Sequence, residues 1–138
     1  MSSIFSRIVR GEIPAATVYE DDLTLAFMDI NPVARGHTLV ICKEEYPDLF
    51  TLPAEALVAV ARTTQHVALA IRTSLSPDGL NIVQNNGASA GQVIFHYHVH
   101  LIPRWENDGG PVRMGRHHES TPTDLQAVAD QIRQQIAR

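Results

Sequence analysis

The hydrophobic positions change period several times along the chain. Ile4, Phe5, Ile8 and Val9 recur at helical spacing and are stopped by Gly11 and Pro14, which predicts a short helix. Residues 17–20 and 23–30 read as strands separated by the turn-prone Asp21-Asp22. Asn31-Pro32 and Arg35-Gly36 bracket a loop, and residues 37–42 (HTLVIC) read as a third strand. From Thr51 to about Leu75 the period lengthens. Leu57, Val60, Ala61, Val67, Ala68, Ile71 and Leu75 mark one buried face of a long helix, with Thr51 as its cap and Pro53 and Glu55 in its first turn. Pro77-Asp78-Gly79 is a turn, residues 80–84 read as a fourth strand, residues 85–92 as a Gly-containing loop, and residues 93–103 as a fifth strand. Residues 104–120 are polar and Gly-rich. A last helix starts near Thr121, with Pro122 in its first turn and a stripe of Leu125, Val128, Ala129, Ile132 and Ile136. The order β-β-β-α-β-β-α predicts an antiparallel sheet with helices packed on it, an α+β domain.

Composition narrows the function classes. A chain of 138 residues, 44% hydrophobic and 19% charged, suits one domain with one core. The formal charge of −4 argues against nucleic acid as a partner, which calls for a basic stripe. Ser6, Arg7 and Arg10 interrupt any apolar leader at the start, and no apolar run approaches the ~20 residues of a membrane span. The expectation is a cytoplasmic protein with no membrane partner. One cysteine cannot form an internal disulfide, and a thiolate zinc site needs more than one. Seven histidines is the unusual count.

Their placement carries the chemistry. In Val93-Ile94-Phe95-His96-Tyr97-His98-Val99-His100-Leu101-Ile102-Pro103, strand alternation sends His96, His98 and His100 to one face, neighbours roughly 6–7 Å apart. Phe95, Tyr97, Val99 and Leu101 then point into a core. Two readings fit three imidazoles on one face. They can ligate a metal, as histidines do in catalytic zinc sites. Alternatively a neutral imidazole attacks an electrophile, while clustering disfavours protonation of its neighbours. Spacing alone leaves both open. His66 in the long helix and His117-His118 in the polar linker read as surface residues, and Cys42 as a small buried side chain.

The run HYHVHLI fits the His-x-His-x-His-x-x signature of the histidine triad (HIT) proteins, and IFSRIVRGEIPA, VYEDDLTLAFMDINPVARGHTLVI and NIVQNNGASAGQ also resemble that family, over about residues 4–103. The final helix after a polar linker looks like the bacterial Hit-type members, with the Hint and Fhit branches more distant. His100 separates the chain from the transferase branch, where Gln is typical. The resemblance implies a HIT-like α+β fold: a five-stranded antiparallel sheet, a long central helix, a C-terminal helix and a homodimer. Residues 1–103 would form the core, and residues 104–138 a linker and helix packed on the same domain.

It also implies an activity. Family members bind purine nucleotides and act at the α-phosphate of nucleoside phosphoramidates, nucleotidyl adducts or dinucleoside polyphosphates, through a nucleotidyl-histidine. By resemblance His98 matches the nucleophile, His100 the histidine beside the scissile phosphate, His96 the one completing the triad, and His37 a supporting fourth. Asp29 matches the acid that binds the ribose hydroxyls. Ile4, Phe5, Ile8, Phe27 and Ile30 match the apolar base pocket. Asn85 and Gly91 match phosphate-side residues, with loop N–H groups available to phosphoryl oxygens, and Gln92 and Val93 fall with them among the nucleotide-binding positions. No cofactor is required by the side chains, although a polyphosphate substrate would bring its own Mg²⁺.

Two departures qualify the match. Val93 stands where many members carry Ser or Thr, so phosphate stabilisation there must come from backbone. Relatives of the bacterial type often pair Cys-x-x-Cys near the start with a histidine in a Lys-x-His segment to hold structural zinc. Ser3, Ser6 and Glu45 replace these together, so no structural zinc is expected and no metal is assigned.

Overall fold

A computed structural model describes residues 2–114 and 117–136. Its elements are α1 (Ile4–Val9), β1 (Thr17–Glu20), β2 (Thr24–Met28), β3 (Thr38–Cys42), α2 (Ala54–Leu75), β4 (Gly79–Val83), β5 (His98–Arg104) and α3 (Pro122–Gln134), with a single 3₁₀ turn at Ala88–Ala90. The strands form one antiparallel sheet in the order β1-β2-β3-β5-β4. The α+β, five-stranded architecture foreseen from the element pattern is the one observed.

Every residue of β2 and β3 is buried, because both faces of the sheet are covered. Strand alternation divides them into two layers. Ala26, Met28, Val40, Cys42, Val99 and Leu101 face α2 and α3 and meet Val60, Val67, Ile71, Leu125 and Ile132 there. Leu25, Phe27, Leu39 and Ile41 face the other way and pack with Phe5 of α1. Antiparallel pairing of β3 with β5 sets Leu39 opposite His100 and Ile41 opposite His98. Both histidines therefore share the α1 face, away from the long helix.

Several boundaries differ from the sequence reading. The fifth strand starts at His98, five residues later than expected. Between Gly91 and Tyr97 the backbone is held by groups outside the ladder: the Gln92 side-chain amide donates to Ile94 O and Pro47 O, and the Tyr97 N–H donates to Tyr46 O over 2.7 Å. With its register taken over in this way, Phe95 stays exposed instead of entering the core. The N-cap of α2 is Pro53, without a side-chain cap, because Thr51 turns back to Asp48. The buried stripe of α2 runs Val60, Thr63, Val67, Ala70, Ile71, Leu75, so Leu57 and Ala61 lie outside it. Thr63 is accommodated in that stripe because its hydroxyl pairs with Thr24 Oγ1 at 2.7 Å. The start of α3 matches the expectation, with Thr121 and Asp124 forming a reciprocal capping box and Pro122 in the first turn.

Gly36 leads into β3 with φ +87°, where it passes close to the last residue of α2 and to Pro103 of β5. No helix among the described residues is long and apolar enough to cross a membrane.

Candidate active site

The α1 face of the sheet carries a cavity of about 550 Å³, a size suited to a small molecule. Its apolar lining comes from Ile4, Phe5 and Ile8 of α1, Phe27 of β2 and Leu39 of β3. Its polar lining comes from Asp29, His37, His98 and His100, with Phe5 edge-on to His98 and Leu39 paired opposite His100. Parity explains the convergence. Phe27 and Asp29 continue one face of β2, His37 and Leu39 one face of β3, and His98 and His100 the facing side of β5.

Hydrogen bonds whose donor is fixed determine where the imidazole protons sit. The Val33 N–H donates to His37 Nδ1 at 2.9 Å, so neutral His37 carries its proton on Nε2. His37 Nε2 lies 2.9 Å from His100 Nδ1, so it donates there, and the proton of His100 is left on Nε2. His98 Nδ1 lies 2.6 Å from His96 O, a carbonyl that can only accept. Nδ1 is therefore the protonated nitrogen of His98, and Nε2 keeps its lone pair. His96 Nε2 donates to Cys42 O at 2.6 Å, and its Nδ1 accepts from the Ser3 hydroxyl at 2.7 Å. These partners hold the rings in place: His98 and His100 meet edge to face with centroids 4.9 Å apart, and Phe5 sets its ring edge-on to His98 at 5.1 Å.

This arrangement bears on the metal reading. Asp29, His37 and His100 bring potential ligand atoms within 4.8 Å of one another. Yet the protonated Nε2 of His37 has no lone pair for a cation, and both ring nitrogens of His96 face protein groups. A centre built on His96, His98 and His100 does not fit this geometry. Asp29 has a double role. Its Oδ1 accepts from the Asn31 N–H at 2.8 Å, closing a turn, while Oδ2 lies 3.5 Å from His37 Nε2.

The residues singled out from the sequence divide as follows. The cavity brings together Ile4, Phe5, Ile8, Phe27, Asp29, Ile30, His37, Gly91, Val93, His98 and His100. His96, Asn85 and Gln92 are not on its wall. Asn85 packs behind Gly91, and Gln92 is buried with its amide oxygen on the Gly87 N–H. The loop N–H groups of Gly91 and Gln92 are occupied by Ala88 O and Gly87 O, which removes them as phosphate donors. Among the described residues none accepts from the Val93 N–H, and the Val93 side chain is 85% exposed. Leu39, Ile94, Met114 and His117 line the cavity without having been anticipated. Parity with His37 points to Leu39. Nothing local flags His117, which the fold delivers from the linker and ties through Nδ1 to Asn31 O at 3.0 Å. Cys42 is a buried thiol pushed up to about 11 by burial, donating to Glu44 O, and plays no part in the cavity.

Burial, reinforced by neighbouring imidazoles, keeps the site neutral. His37 is held down to about 4 by burial, then His117 and His98; His100 is held down to about 3 by burial, then His98 and His37. His96 and His98 are also lowered, burial again first. In the unfolded chain these groups take up protons near 6.5, whereas folded His37 and His100 wait until about 4 and 3. Between those limits the unfolded state binds more protons. Stability is complete above the unfolded value and declines as pH falls, by up to about 1.4 kcal/mol per pH unit for each such group. Urea midpoints taken at about pH 7.5, 6.5 and 5.5, above the titration range of most carboxylates, decrease in that order. A flat series would contradict neutral burial.

The family model for the HIT domain matches residues 10–107. Protein hit of Bacillus subtilis is 42% identical over 136 residues, covering 97% of this chain and 94% of the relative. An adenylylsulfatase of Arabidopsis thaliana is 44% identical over 105 residues, covering 76% of this chain and 53% of the plant protein. Among solved structures, a hypothetical histidine triad nucleotide-binding protein of Sulfolobus tokodaii superposes with a TM-score of 0.87 at 35% identity, covering 96% of this chain and 91% of that one.

Proposed function

The chain belongs to the histidine triad (HIT) family, and from that premise we propose that it is a nucleotide hydrolase cleaving at the α-phosphate of nucleoside phosphoramidates, nucleotidyl adducts or dinucleoside polyphosphates. One observation carries the reading: His98 Nδ1 is committed to a main-chain carbonyl, which leaves an unprotonated Nε2 in a cavity otherwise shaped for a small molecule. A purine base lies between Ile4, Phe5, Ile8, Phe27 and Ile30, and Asp29 Oδ2 takes the ribose hydroxyls.

In the proposed double displacement, His98 Nε2 attacks the α-phosphorus, a P–N bond forms, and the bond to the leaving group breaks. His100 is neutral and presents Nε2–H to the leaving atom as a hydrogen-bond donor, while its Nδ1 continues to accept from His37. The proton that the leaving group takes up comes from water. Water cleaves the nucleotidyl-His98 bond and releases the nucleoside monophosphate. His37, holding His100 Nδ1, keeps that donor aimed. The uncovered apolar side chains Leu57, Val58 and Leu69 of α2 and Ile82 of the edge strand β4 support a homodimer.

The test is to incubate metal-free protein with an adenosine phosphoramidate and, separately, a diadenosine polyphosphate. AMP release with a transient adenylyl adduct on His98 in the mass spectrum is the expected result. Binding without AMP release would favour a second reading, a catalytically weak nucleotide-binding dimer, for which the hydroxyl-free Val93 is the specific observation. Activity that disappears on chelation and returns with zinc would overturn the metal-free mechanism.

A further inference from the structure

We propose that Glu45 and Ser3 are positioning residues that hold His98 in its reactive tautomer from the far side of the triad. The path consists of consecutive hydrogen bonds between neighbouring groups. Glu45 Oε1 accepts from the Ser3 N–H at 2.8 Å and from the Ser6 hydroxyl at 2.6 Å. The Ser6 hydroxyl hydrogen points at the carboxylate, so the hydrogen bond that His96 Nδ1 accepts comes from Ser3, whose hydroxyl accepts from the Ser6 N–H at 3.0 Å and donates to His96 Nδ1 at 2.7 Å. With Nδ1 accepting, His96 must donate through Nε2, and Cys42 O receives that proton at 2.6 Å. Both ends of the His96 ring are thereby pinned, and the ring carries its own main chain with it. The carbonyl of that residue is the acceptor for His98 Nδ1–H at 2.6 Å. The peptide that carries this carbonyl is held on its other side by the Tyr97 N–H, which donates to Tyr46 O. The His96 ring and Tyr46 together therefore orient the acceptor that decides which nitrogen of His98 bears the proton.

Three features favour a positioning role over simple support. His96 is fully buried and off the cavity wall, so it cannot touch substrate, yet it makes a complete set of hydrogen bonds. Ser3 is the N-cap of α1, so the same hydroxyl that orients His96 also starts the helix whose Phe5 packs edge-on against His98. Glu45 itself is exposed, on the segment after β3, and its carboxyl is held below its ordinary range first by the Ser6 hydroxyl and then by the Ser3 N–H. Its contribution to bulk stability is therefore small, while its contribution to geometry is specific. Loss of this anchor leaves the His96 peptide held by Tyr46 alone and loosens its carbonyl enough for His98 to populate the opposite tautomer, whose lone pair faces His96 O instead of the cavity.

The experiment combines kinetics with long-range ¹H–¹⁵N correlation spectra of the imidazoles, which report tautomers directly. For Glu45→Ala, kcat for the phosphoramidate falls roughly five- to twentyfold with KM changed less than about twofold, in the range of one lost charge-assisted hydrogen bond, while Ser3→Ala, which also removes the α1 cap, is read by the spectra alone. The His98 pattern moves from a pure Nδ1–H form towards a mixture. Glu45→Gln, whose side-chain oxygen still accepts from Ser3 and Ser6, restores both readouts. An unchanged His98 tautomer in both Ala variants, a change confined to KM, or no rescue by Gln would overturn the proposal. The kinetic arm rests on the hydrolase reading and the spectroscopic arm does not. A wild-type protein inactive on both substrates would sink that reading while the tautomer spectra still decide the role of Glu45.

Discussion

His98→Ala loses AMP release by about 10³-fold or more and forms no adenylyl adduct, while it keeps the fold and most of the nucleotide affinity. The size of the effect follows from what is removed. The unprotonated Nε2 is the nucleophile of the proposed first step, and neither neighbouring histidine is arranged to replace it. His100 carries its proton on Nε2, and both nitrogens of His96 are occupied by Cys42 and Ser3. Folding is little affected, because His98 is only partly buried and a single hydrogen bond, to His96 O, is lost. The cavity lining from β2 and β3, Phe27 and Leu39, is untouched, and Phe5 loses only its edge contact with the ring. Rate measurements on both substrates, intact-mass spectra and a urea titration check the three parts separately. Turnover within tenfold of wild type would exclude His98 as nucleophile.

The second large effect is on stability. Gly36→Ala is expected to cost about 2–4 kcal/mol, the sum of left-handed backbone strain and a steric clash. Gly36 has φ +87°, and an added Cβ would stand 2.6 Å from Leu75 Cδ1 and 3.0 Å from Pro103 Cγ. The Pro103 ring yields least, and Leu75 Cδ1 must turn aside within a buried side chain. Leu75 closes the buried stripe of α2, and Pro103 sits in β5 with its ring fixed. Because Gly36 immediately precedes His37, any shift passes to the His37–His100 hydrogen bond, and kcat falls together with stability. Equilibrium urea unfolding measures the first effect, and the kinetic assay the second. A loss below about 0.5 kcal/mol would show that the backbone relaxes freely there.

Much of this arrangement is legible in residue order. Alternation alone places His98 and His100 on one face of a strand, and the same parity gathers Phe27, Asp29, His37 and Leu39 once β2, β3 and β5 are neighbours. What alternation cannot reveal is where a strand begins. His96 has the right parity but lies before the ladder, because Gln92 and Tyr46 take over the backbone bonds that would have extended it. A polar amide in a loop looks the same in sequence whether it faces ligand or secures its own loop, as the inward use of Gln92 shows. Buried helix positions are hidden for a related reason. Thr63 replaces Leu57 and Ala61 in the stripe only because Thr24 supplies a partner. His117 enters from a linker whose path no periodicity encodes.

The two sides of the cavity differ in how freely they can be rebuilt. Its floor is the sheet itself, where each side chain is held in a ladder and backed by the opposite layer, so a change there disturbs chemistry and folding at once. Its wall is α1, six residues long, far too short to be helical without its surroundings and exposing Ile4 at its start. Ile4 and Ile8 can thus be exchanged for smaller or larger side chains at little cost, with Ser3 and Ser6 left to keep the helix docked. Preference for the base and competence at phosphorus are separable properties of this fold, and new specificities are to be sought in α1 before anything is altered in β5.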